Sequence, residues 1–225
     1  MATAGALGLN GEKGRPPVPL SVQVADIGGG GLQPAVAILG ALVAVQRGAE
    51  GRWIDSSMTD GAVSWLALAF AARAGGEVVG RGDQRLGGRY ACYRVYACKG
   101  GGFYSVAALE PKFWAALCDA VGRPELIDRQ FAEGEDGEQV HKALEELFAS
   151  RTRSEWEKEL ADCDACCEPV LELDEVMSHP QIAARQSLRR VDGDAPRLGE
   201  HTAVVLAELG IDSSRYGELQ REGVI

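Results

Sequence analysis

In the first third of the chain, segments with a strand-like alternation of apolar and polar residues are followed by segments with a helical apolar pattern. Leu20–Ala25 alternates apolar and polar residues, which is typical of a strand. Leu32–Arg47 is apolar on nearly every side, which predicts a buried helix. Arg52–Ser57 is a second strand-like run, and an apolar helix follows it to about Arg73. We therefore expect a β-α-β-α unit, and such crossovers build a parallel sheet.

The pattern changes in the middle of the chain. Ala74–Arg89 is rich in glycine and arginine, which indicates a linker followed by a mobile loop. Cys92–Ala97 and Phe103–Ala108 flank a glycine turn at Lys99–Gly102, and this arrangement predicts a β-hairpin.

Helical patterns dominate the chain after the hairpin. Ser154 and Glu157 have the spacing of a capping box at a helix start, and a short strand is expected at Pro169–Leu171. The predicted helices are Pro111–Val121, Asp136–Ser150, Ser154–Ala161, Asp174–Met177, Leu198–Leu209 and Ser213–Arg221. The region after the linker therefore reads as a small α+β domain.

Composition narrows the class of protein. The chain has 225 residues, 46% hydrophobic and 25% charged, as in an ordinary globular protein. Its net charge of −10, without a basic cluster, argues against nucleic acid as a partner. The most apolar run, Val36–Val45, is half the roughly 20 residues of a membrane span, so no membrane partner is expected. Six cysteines without a signal peptide predict free thiols and a cytoplasmic location.

Asp26 is the first candidate for chemistry. It ends a predicted parallel strand and precedes Gly28–Gly31, the position where open α/β sheets bind ligands. Gly28, Gly29 and Gly30 would let a substrate approach the backbone, and the free N–H groups of the next helix could hold a thioester oxygen. The alternative is that Asp26 only caps that helix, and position alone favours neither.

Other candidate residues have weaker signals. Glu110 precedes Pro111 at a helix start, where an acidic residue is often only a favourable charge at the helix terminus. Cys163 and Cys166 form a Cys-x-x-Cys, but a zinc site needs a second pair, so we predict packed thiols and no metal. Apolar surroundings predict that four tryptophans lie in the core: Trp53, Trp65, Trp114 and Trp156.

Six short motifs, in order, resemble CoA-transferase family III, also called the CaiB/BaiF family, and within it the acyl-CoA racemases. They lie at residues 24–31, 51–55, 81–88, 108–113, 164–170 and 198–202. The resemblance covers nearly the whole chain.

The resemblance implies an α/β fold: a partial Rossmann-like large domain and a small α+β domain, in an interlocked homodimer. The implied domains are residues 1–75 (large, with its upstream part absent), 76–89 (linker and glycine loop), 90–187 (small) and 188–225 (return to the large domain). A Gly-His-Asp motif, whose histidine is a second acid/base, stands upstream in the racemases and is not in this sequence. A fragment of a longer protein is therefore expected.

The resemblance also implies roles for particular residues. Asp26 matches an acid/base of the racemases and the acyl-accepting nucleophile of the transferases, while Glu110 matches an active-site carboxylate of the racemases. Gly87 and Gly88 match a mobile loop near the active site. The implied partner is an acyl-CoA thioester of lipid metabolism, with coenzyme A as part of the substrate and no separate cofactor. The alternatives are a CoA-transferase working through an aspartyl anhydride, or an inactive remnant of the family.

Overall fold

The computed structural model of the chain describes residues 1–187 and 196–225. Contacts divide the chain into two compact units, Met1–Val170 and Leu171–Ile225. The expected domain ends at residues 75 and 89 fall inside the first unit, and the one at 187 falls inside the second. The expected return to the large domain starts at residue 188, outside the described residues. The domain division implied by the family stays a prediction.

The N-terminal part of the first unit is helical. A π-helical segment, Ala25–Leu32, continues directly into a long α-helix. The α-helices here are α1 (Ala6–Leu9), α2 (Gln33–Gln46), α3 (Met58–Ser64) and α4 (Ala67–Ala74).

The two strands predicted before residue 60 do not form, so the expectation of a parallel sheet in this region is wrong for the described residues. Leu20–Ala25 is coil that enters the π-helical segment, and residues 51–57 are coil leading into α3. A strand exists only when its backbone N–H and C=O groups pair with a neighbouring strand. Neither segment has such a neighbour within residues 1–187 and 196–225.

The apolar helix α2 is exposed, which corrects the prediction that it is buried. None of its residues is buried, and Val36 and Leu39 are 70% and 62% exposed. The continuous helical run Ala25–Gln46, of 22 residues, is long and apolar enough to cross a membrane by length and composition. Core helices of globular proteins meet the same measure, so this property does not assign the helix to a membrane.

The sheet of the first unit is antiparallel and has three strands in the order β1-β2-β3: Tyr93–Ala97, Phe103–Ala107 and Cys167–Pro169. The predicted hairpin is confirmed, with Tyr93 opposite Ala107 and Ala97 opposite Phe103. Its turn needs glycine because Gly100, Gly101 and Gly102 all have positive φ.

Helices cover one face of this sheet. They are α5 (Pro111–Ala120), a 3₁₀ turn (Pro124–Arg129), α6 (Gly134–Ala149) and α7 (Arg153–Glu159). The capping box of α7 is formed by Thr152 and Glu155, not by the predicted Ser154 and Glu157. Both pairs have the same spacing, but α7 begins at Arg153, so only Thr152 stands outside the first turn.

An aromatic core joins the sheet to these helices. Phe148 of α6 stacks on Tyr96 and Tyr104 at centroid distances of 5.1 and 5.7 Å and contacts Trp156 at 5.1 Å. Trp156 donates a hydrogen bond to the Phe148 carbonyl at 3.0 Å, so burial leaves its indole N–H satisfied. The main core of the first unit therefore lies between the sheet and α5–α7.

The tryptophan predictions are half right. Trp114 and Trp156 are buried in this core, as predicted. Trp53 is 91% exposed and Trp65 is 43% exposed, so their predicted burial is wrong. Both lie in the helical N-terminal region, where burial depends on segments that would pack over it.

The second unit is small and helical. Its helices are α8 (Leu173–Val176), α9 (Pro180–Arg185), α10 (Thr202–Glu208) and α11 (Ser213–Arg221). The last of these has the predicted bounds, and Asp212 caps it by accepting a hydrogen bond from the Arg215 backbone at 2.9 Å.

Candidate active site

Asp26 lies near the N-terminal end of the helical run Ala25–Gln46, not at the end of a strand. Its side chain is exposed, and within the described parts of the chain no ion pair or side-chain hydrogen bond engages its carboxylate. The N-terminal end of a helix carries partial positive charge, which favours a carboxylate there. The carboxylate is therefore exposed and unengaged within the described residues, and its role as an acid/base stays a prediction.

The glycines after Asp26 serve close packing of two helices. A Cβ on Gly28 would overlap the Trp65 ring, and a Cβ on Gly29 would lie 2.9 Å from the Met58 carbonyl oxygen. On the opposite side, a Cβ on Gly61 would lie 2.5 Å from the Gly29 Cα. Gly28 and Gly29 thus let the π-helical segment approach α3. Gly30 is exposed and has room for a Cβ, and the substrate-binding role of all three glycines stays a prediction.

Glu110 stands at the N-cap position of α5, directly after the segment that follows β2. Its backbone carbonyl accepts hydrogen bonds from Phe113 and Trp114 at 3.0 and 3.1 Å, while its exposed side chain makes no capping bond. The alternative, in which Glu110 only stabilises the start of the helix, accounts for these backbone hydrogen bonds. It gives no role to the exposed carboxylate.

Cys166 lies close to Glu110, which the sequence did not suggest. Burial raises the pKa of the Cys166 thiol, and the Glu110 carboxylate raises it further while Lys112 opposes the rise. Cys166 is exposed and has a positive φ of 51°, whereas the neighbouring Cys167 is buried and its pKa is raised by burial to about 12. The packed thiols predicted from the Cys-x-x-Cys are Cys163 and Cys166: Cys163 is half-buried and packs against the core, as predicted, whereas Cys166 is exposed, so the prediction is wrong for it. Within the described residues no group of side chains has the composition of a metal site.

Asp26 and Glu110 are not joined by any hydrogen bond or ion pair in the parts of the chain that the structure describes. Asp26 belongs to the helical N-terminal region, and Glu110 belongs to the end of β2. Their predicted partnership in one active site stays a prediction.

Gly87 and Gly88 lie in a loop that we call the strap, residues 80–90. Its first half is held by Lys13, whose ammonium pairs with Asp83 at 2.6 Å, and by Arg81, which donates to the carbonyls of Gly8 and Arg15 at 2.8 Å each. Between its held ends the strap carries the two glycines, with Gly88 at a φ of 91°.

The second half of the strap is held by Glu133. Its Oε1 accepts hydrogen bonds from the Arg89 guanidinium at 2.6 Å and from the Tyr90 hydroxyl at 2.8 Å. Burial raises the pKa of Tyr90, and its bond to Glu133 adds to the rise. His141 Nε2 lies 3.0 Å from the Arg89 carbonyl oxygen, so this histidine supports the strap.

A cleft of about 730 Å³ lies beneath the strap. Its walls are the strap tip, residues 9–13 and the face of the β1–β2 hairpin that the helices leave open. The open face carries the side chains of Tyr93, Val95, Ser105 and Ala107, which alternate with the core residues Tyr96, Tyr104 and Val106.

Comparison with known proteins decides the family. Residues 1–212 match the sequence model of CoA-transferase family III. The chain belongs to CoA-transferase family III. Among curated relatives, an alpha-methylacyl-CoA racemase of Mus musculus is 29% identical over all of this chain and 65% of its own length. An acyl-CoA transferase of Fusarium pseudograminearum is 28% identical over all of this chain and 56% of its own length.

A solved member of the family has the same fold. The crystal structure of a CaiB/BaiF family protein from Brucella suis matches with a TM-score of 0.68 at 27% identity, over 92% of this chain and 61% of its own. The family III chain described here thus spans less than two thirds of these relatives. The family is enzymatic, and its named relatives include both racemases and CoA-transferases.

Proposed function

We propose that this family III chain carries part of an acyl-CoA racemase that inverts the α-carbon of 2-methylacyl-CoA thioesters. The observation that carries the proposal is similarity to an alpha-methylacyl-CoA racemase over all of this chain. Asp26 and Glu110 are the residues at the racemase-like motif positions, and both side chains are exposed and unpaired in the described residues.

The chemistry needs a base for a weakly acidic C–H bond. The thioester carbonyl makes the proton on C2 acidic, because the electron pair left behind spreads onto the oxygen as an enolate. Asp26 would accept that proton, and delivery of another proton to the opposite face of C2 would complete the inversion. Glu110 would hold or tune the group that acts on the second face.

A CoA-transferase is the second candidate, because a relative similar over all of this chain is an acyl-CoA transferase. In that reaction Asp26 would attack the thioester carbonyl, forming a mixed anhydride and releasing the CoA thiolate. Transfer needs a free carboxylic acid as acceptor, whereas racemisation does not. An inactive remnant of the family is the third reading, and it predicts neither reaction.

The deciding experiment measures deuterium entry at C2 of 2-methylbutanoyl-CoA when the chain is incubated in heavy water without an acceptor acid. We expect incorporation, and we expect Asp26→Asn to abolish it. Movement of CoA to an added carboxylic acid, without exchange at C2, would establish the transferase instead. Absence of both reactions in a folded chain, and again after the upstream segment of the racemases is joined to it, would overturn the racemase proposal and leave the inactive remnant.

A further inference from the structure

Three cysteines lie close together at the start of β3, and the proposed reaction uses none of them. They are Cys163, Cys166 and Cys167. All six cysteines of the chain fall within the described residues, and Cys166 alone among them is exposed. We propose that Cys166 is a site of reversible thiol oxidation, at which a small-molecule disulfide is reduced and Cys163 closes a disulfide with Cys166. This site goes beyond the proposed reaction at C2 and does not depend on it.

The backbone between Cys163 and Cys166 folds back on itself. Ala165 donates its N–H to the Cys163 carbonyl at 2.9 Å, which closes a three-residue turn. The chain bends again at Ala165 and Cys166, and Cys166 has a left-handed φ of 51°. A disulfide joins Cα atoms about 4.4–6.8 Å apart, and the ends of a four-residue turn lie within about 7 Å of each other. This compact segment therefore suits a bond between its two end cysteines.

Cys163 is better placed than Cys167 to join Cys166. Cys163 is half-buried at the edge of the core, and its thiol donates a long hydrogen bond of 3.6 Å to the Ala116 carbonyl. Cys167 is buried within β3, and its thiol donates to the Ala165 carbonyl at 3.2 Å. Burial raises the pKa of Cys167 to about 12, so it stays a protonated thiol, which is a poor nucleophile. A bond to Cys166 costs Cys163 one weak contact, whereas it would disturb the strand position of Cys167.

The chemistry consists of two successive thiol–disulfide exchanges. The Cys166 thiolate attacks one sulfur of the small-molecule disulfide, forms a mixed disulfide with it and releases the other half as a thiolate. The Cys163 thiolate then attacks the Cys166 sulfur of the mixed disulfide and releases the second half. Two electrons and two protons pass from the protein to the reagent, which ends as two thiols. The exposed Cys166 is the sulfur that a dissolved reagent reaches first, and Cys163 completes the bond.

Charged neighbours set how readily Cys166 reacts. Burial, Glu110 and Asp164 raise the pKa of its thiol, and Lys112 lowers it. Exchange needs the thiolate, so the two carboxylates slow the reaction at neutral pH and the ammonium group speeds it. The backbone joins Cys166 to the same region, since its carbonyl accepts a hydrogen bond at 2.9 Å from Ala107, at the end of the strand that leads to Glu110. The reactivity of Cys166 therefore reports the charge at Glu110.

The test counts free thiols in the folded chain. The reduced chain is incubated with excess glutathione disulfide, then unfolded and titrated with a chromogenic thiol reagent, and peptide mapping locates the bond. We expect the free thiols to fall from six to four, with Cys163 and Cys166 bridged, and a reducing agent to restore all six. Six free thiols after incubation, a glutathione adduct without a bridge, or a bridge that involves another cysteine would each overturn the proposal.

Three substitutions separate the roles of the two cysteines. Cys163→Ser should stop the reaction at the mixed disulfide, so that one glutathione stays bound to Cys166. Cys166→Ser should lose no thiol, whereas Cys98→Ser, at a buried position directly after β1, should still form the bridge. Loss of thiols in a folded Cys166→Ser chain would refute the assignment. Peptide mapping of the unchanged chain identifies the bridge even where a variant does not fold.

Two charge substitutions of opposite sign test the link to Glu110. Glu110→Gln removes a carboxylate that raises the pKa of Cys166, and Lys112→Gln removes the ammonium group that lowers it. At a fixed neutral pH we expect the first exchange to be faster in Glu110→Gln and slower in Lys112→Gln than in the unchanged chain. Equal rates in the three chains would contradict the influence of these charges on Cys166. None of these measurements uses exchange at C2, so the thiol site and the racemase are tested separately.

Discussion

Asp26 and Gly29 lie one helical turn apart and have opposite surroundings. The Asp26 side chain is exposed and unpaired within the described residues, whereas Gly29 is buried against α3. At the scale of single residues, the segment thus holds an exposed carboxylate, which is the proposed base, and a glycine that permits close contact with α3. Each role predicts a different effect of substitution.

Replacing Asp26 by Asn removes the proposed base with little change in volume. We expect Asp26→Asn to lower the rate of deuterium exchange at C2 by about 10²–10⁴-fold, the usual contribution of a positioned general base. Asp55→Asn, at an exposed position before α3, is the matched control and should retain full exchange. Unchanged exchange in Asp26→Asn would show that another group removes the proton.

Two Gly→Ala changes in the helical run Ala25–Gln46 should change the free energy of unfolding in opposite directions. A Cβ on Gly29 meets the Met58 carbonyl at 2.9 Å, whereas a Cβ on Gly40 meets nothing within 4 Å. Gly29→Ala is expected to lower the free energy of unfolding by about 1–3 kcal/mol, and Gly40→Ala to raise it by about 0.5–1 kcal/mol. Urea denaturation measures both, and a Gly29→Ala chain as stable as the original would contradict the packing role.

Helix starts and loop anchors show how whole elements are positioned. At the start of α7 the Thr152 hydroxyl oxygen accepts a hydrogen bond from the Glu155 backbone N–H, and the Glu155 carboxylate accepts one from the Thr152 backbone N–H. Glu133 binds the strap but makes no cap for α6, although it stands at the N-cap position of that helix. Substitutions at Thr152 therefore test how much the cap stabilises α7. Substitutions at Glu133 test how firmly the strap is held.

The stabilisation of α7 by its N-terminal cap should depend on Thr152 and not on Ser154. We expect Thr152→Ala to cost about 1 kcal/mol in the free energy of unfolding and Ser154→Ala, within the first turn, to cost close to nothing. Equal effects of the two changes would contradict the observed cap.

The same cap gives α7 a dependence on pH. Hydrogen bonds from the backbone and the hydroxyl of Thr152 lower the pKa of Glu155 below its ordinary value of 4.5. The stabilisation is therefore complete above that ordinary value and is lost as the pH falls through the lowered pKa of the folded state. Denaturation of the Thr152→Ala chain should accordingly show a weaker loss of stability below pH 4.5.

The strap should loosen when Glu133 is removed. Glu133→Ala deletes the acceptor of both Arg89 and Tyr90, so we expect faster amide hydrogen exchange in residues 84–90. Glu145→Ala, which breaks the pair with Arg94 on the sheet, is the control and should leave exchange in the strap unchanged. Slow exchange in both variants would mean that the remaining contacts of His141 and Lys13 suffice.

At the scale of the whole molecule, the dominant feature is an apolar surface on the N-terminal helices. Between Asp26 and Arg47 the sequence has no charged residue, and no side chain of α2 is buried. Soluble monomers rarely expose continuous apolar patches of more than a few hundred Å². The chain by itself should therefore associate with other molecules through this face.

Association should depend on α2 in particular. We expect sedimentation at micromolar concentration to give a mass above the 23.9 kDa of one chain, and Leu39→Lys to shift it toward one chain. Leu173→Lys changes a leucine that is 83% exposed in the second unit, outside α2, and it should have no effect. Sedimentation as a single chain before any substitution would contradict this expectation.

Local patterns in the sequence determined the second half of the first unit. The β1–β2 hairpin and its glycine turn formed as predicted, since turn residues and strand periodicity act within a few positions. The start of α5 at Pro111 and the bounds of α11 followed from residues that begin and end helices. The family followed from six ordered motifs and was confirmed over residues 1–212.

Tertiary structure alone decided the first part of the chain. Leu20–Ala25 and residues 51–57 have strand patterns but form no strand, because strand pairing needs a partner that local sequence cannot specify. The apolar character of α2 predicted burial, but burial depends on which other segments cover the helix. The proximity of Cys166 to Glu110 and the cleft beneath the strap arise from contacts between residues distant in sequence, so only the folded chain could show them.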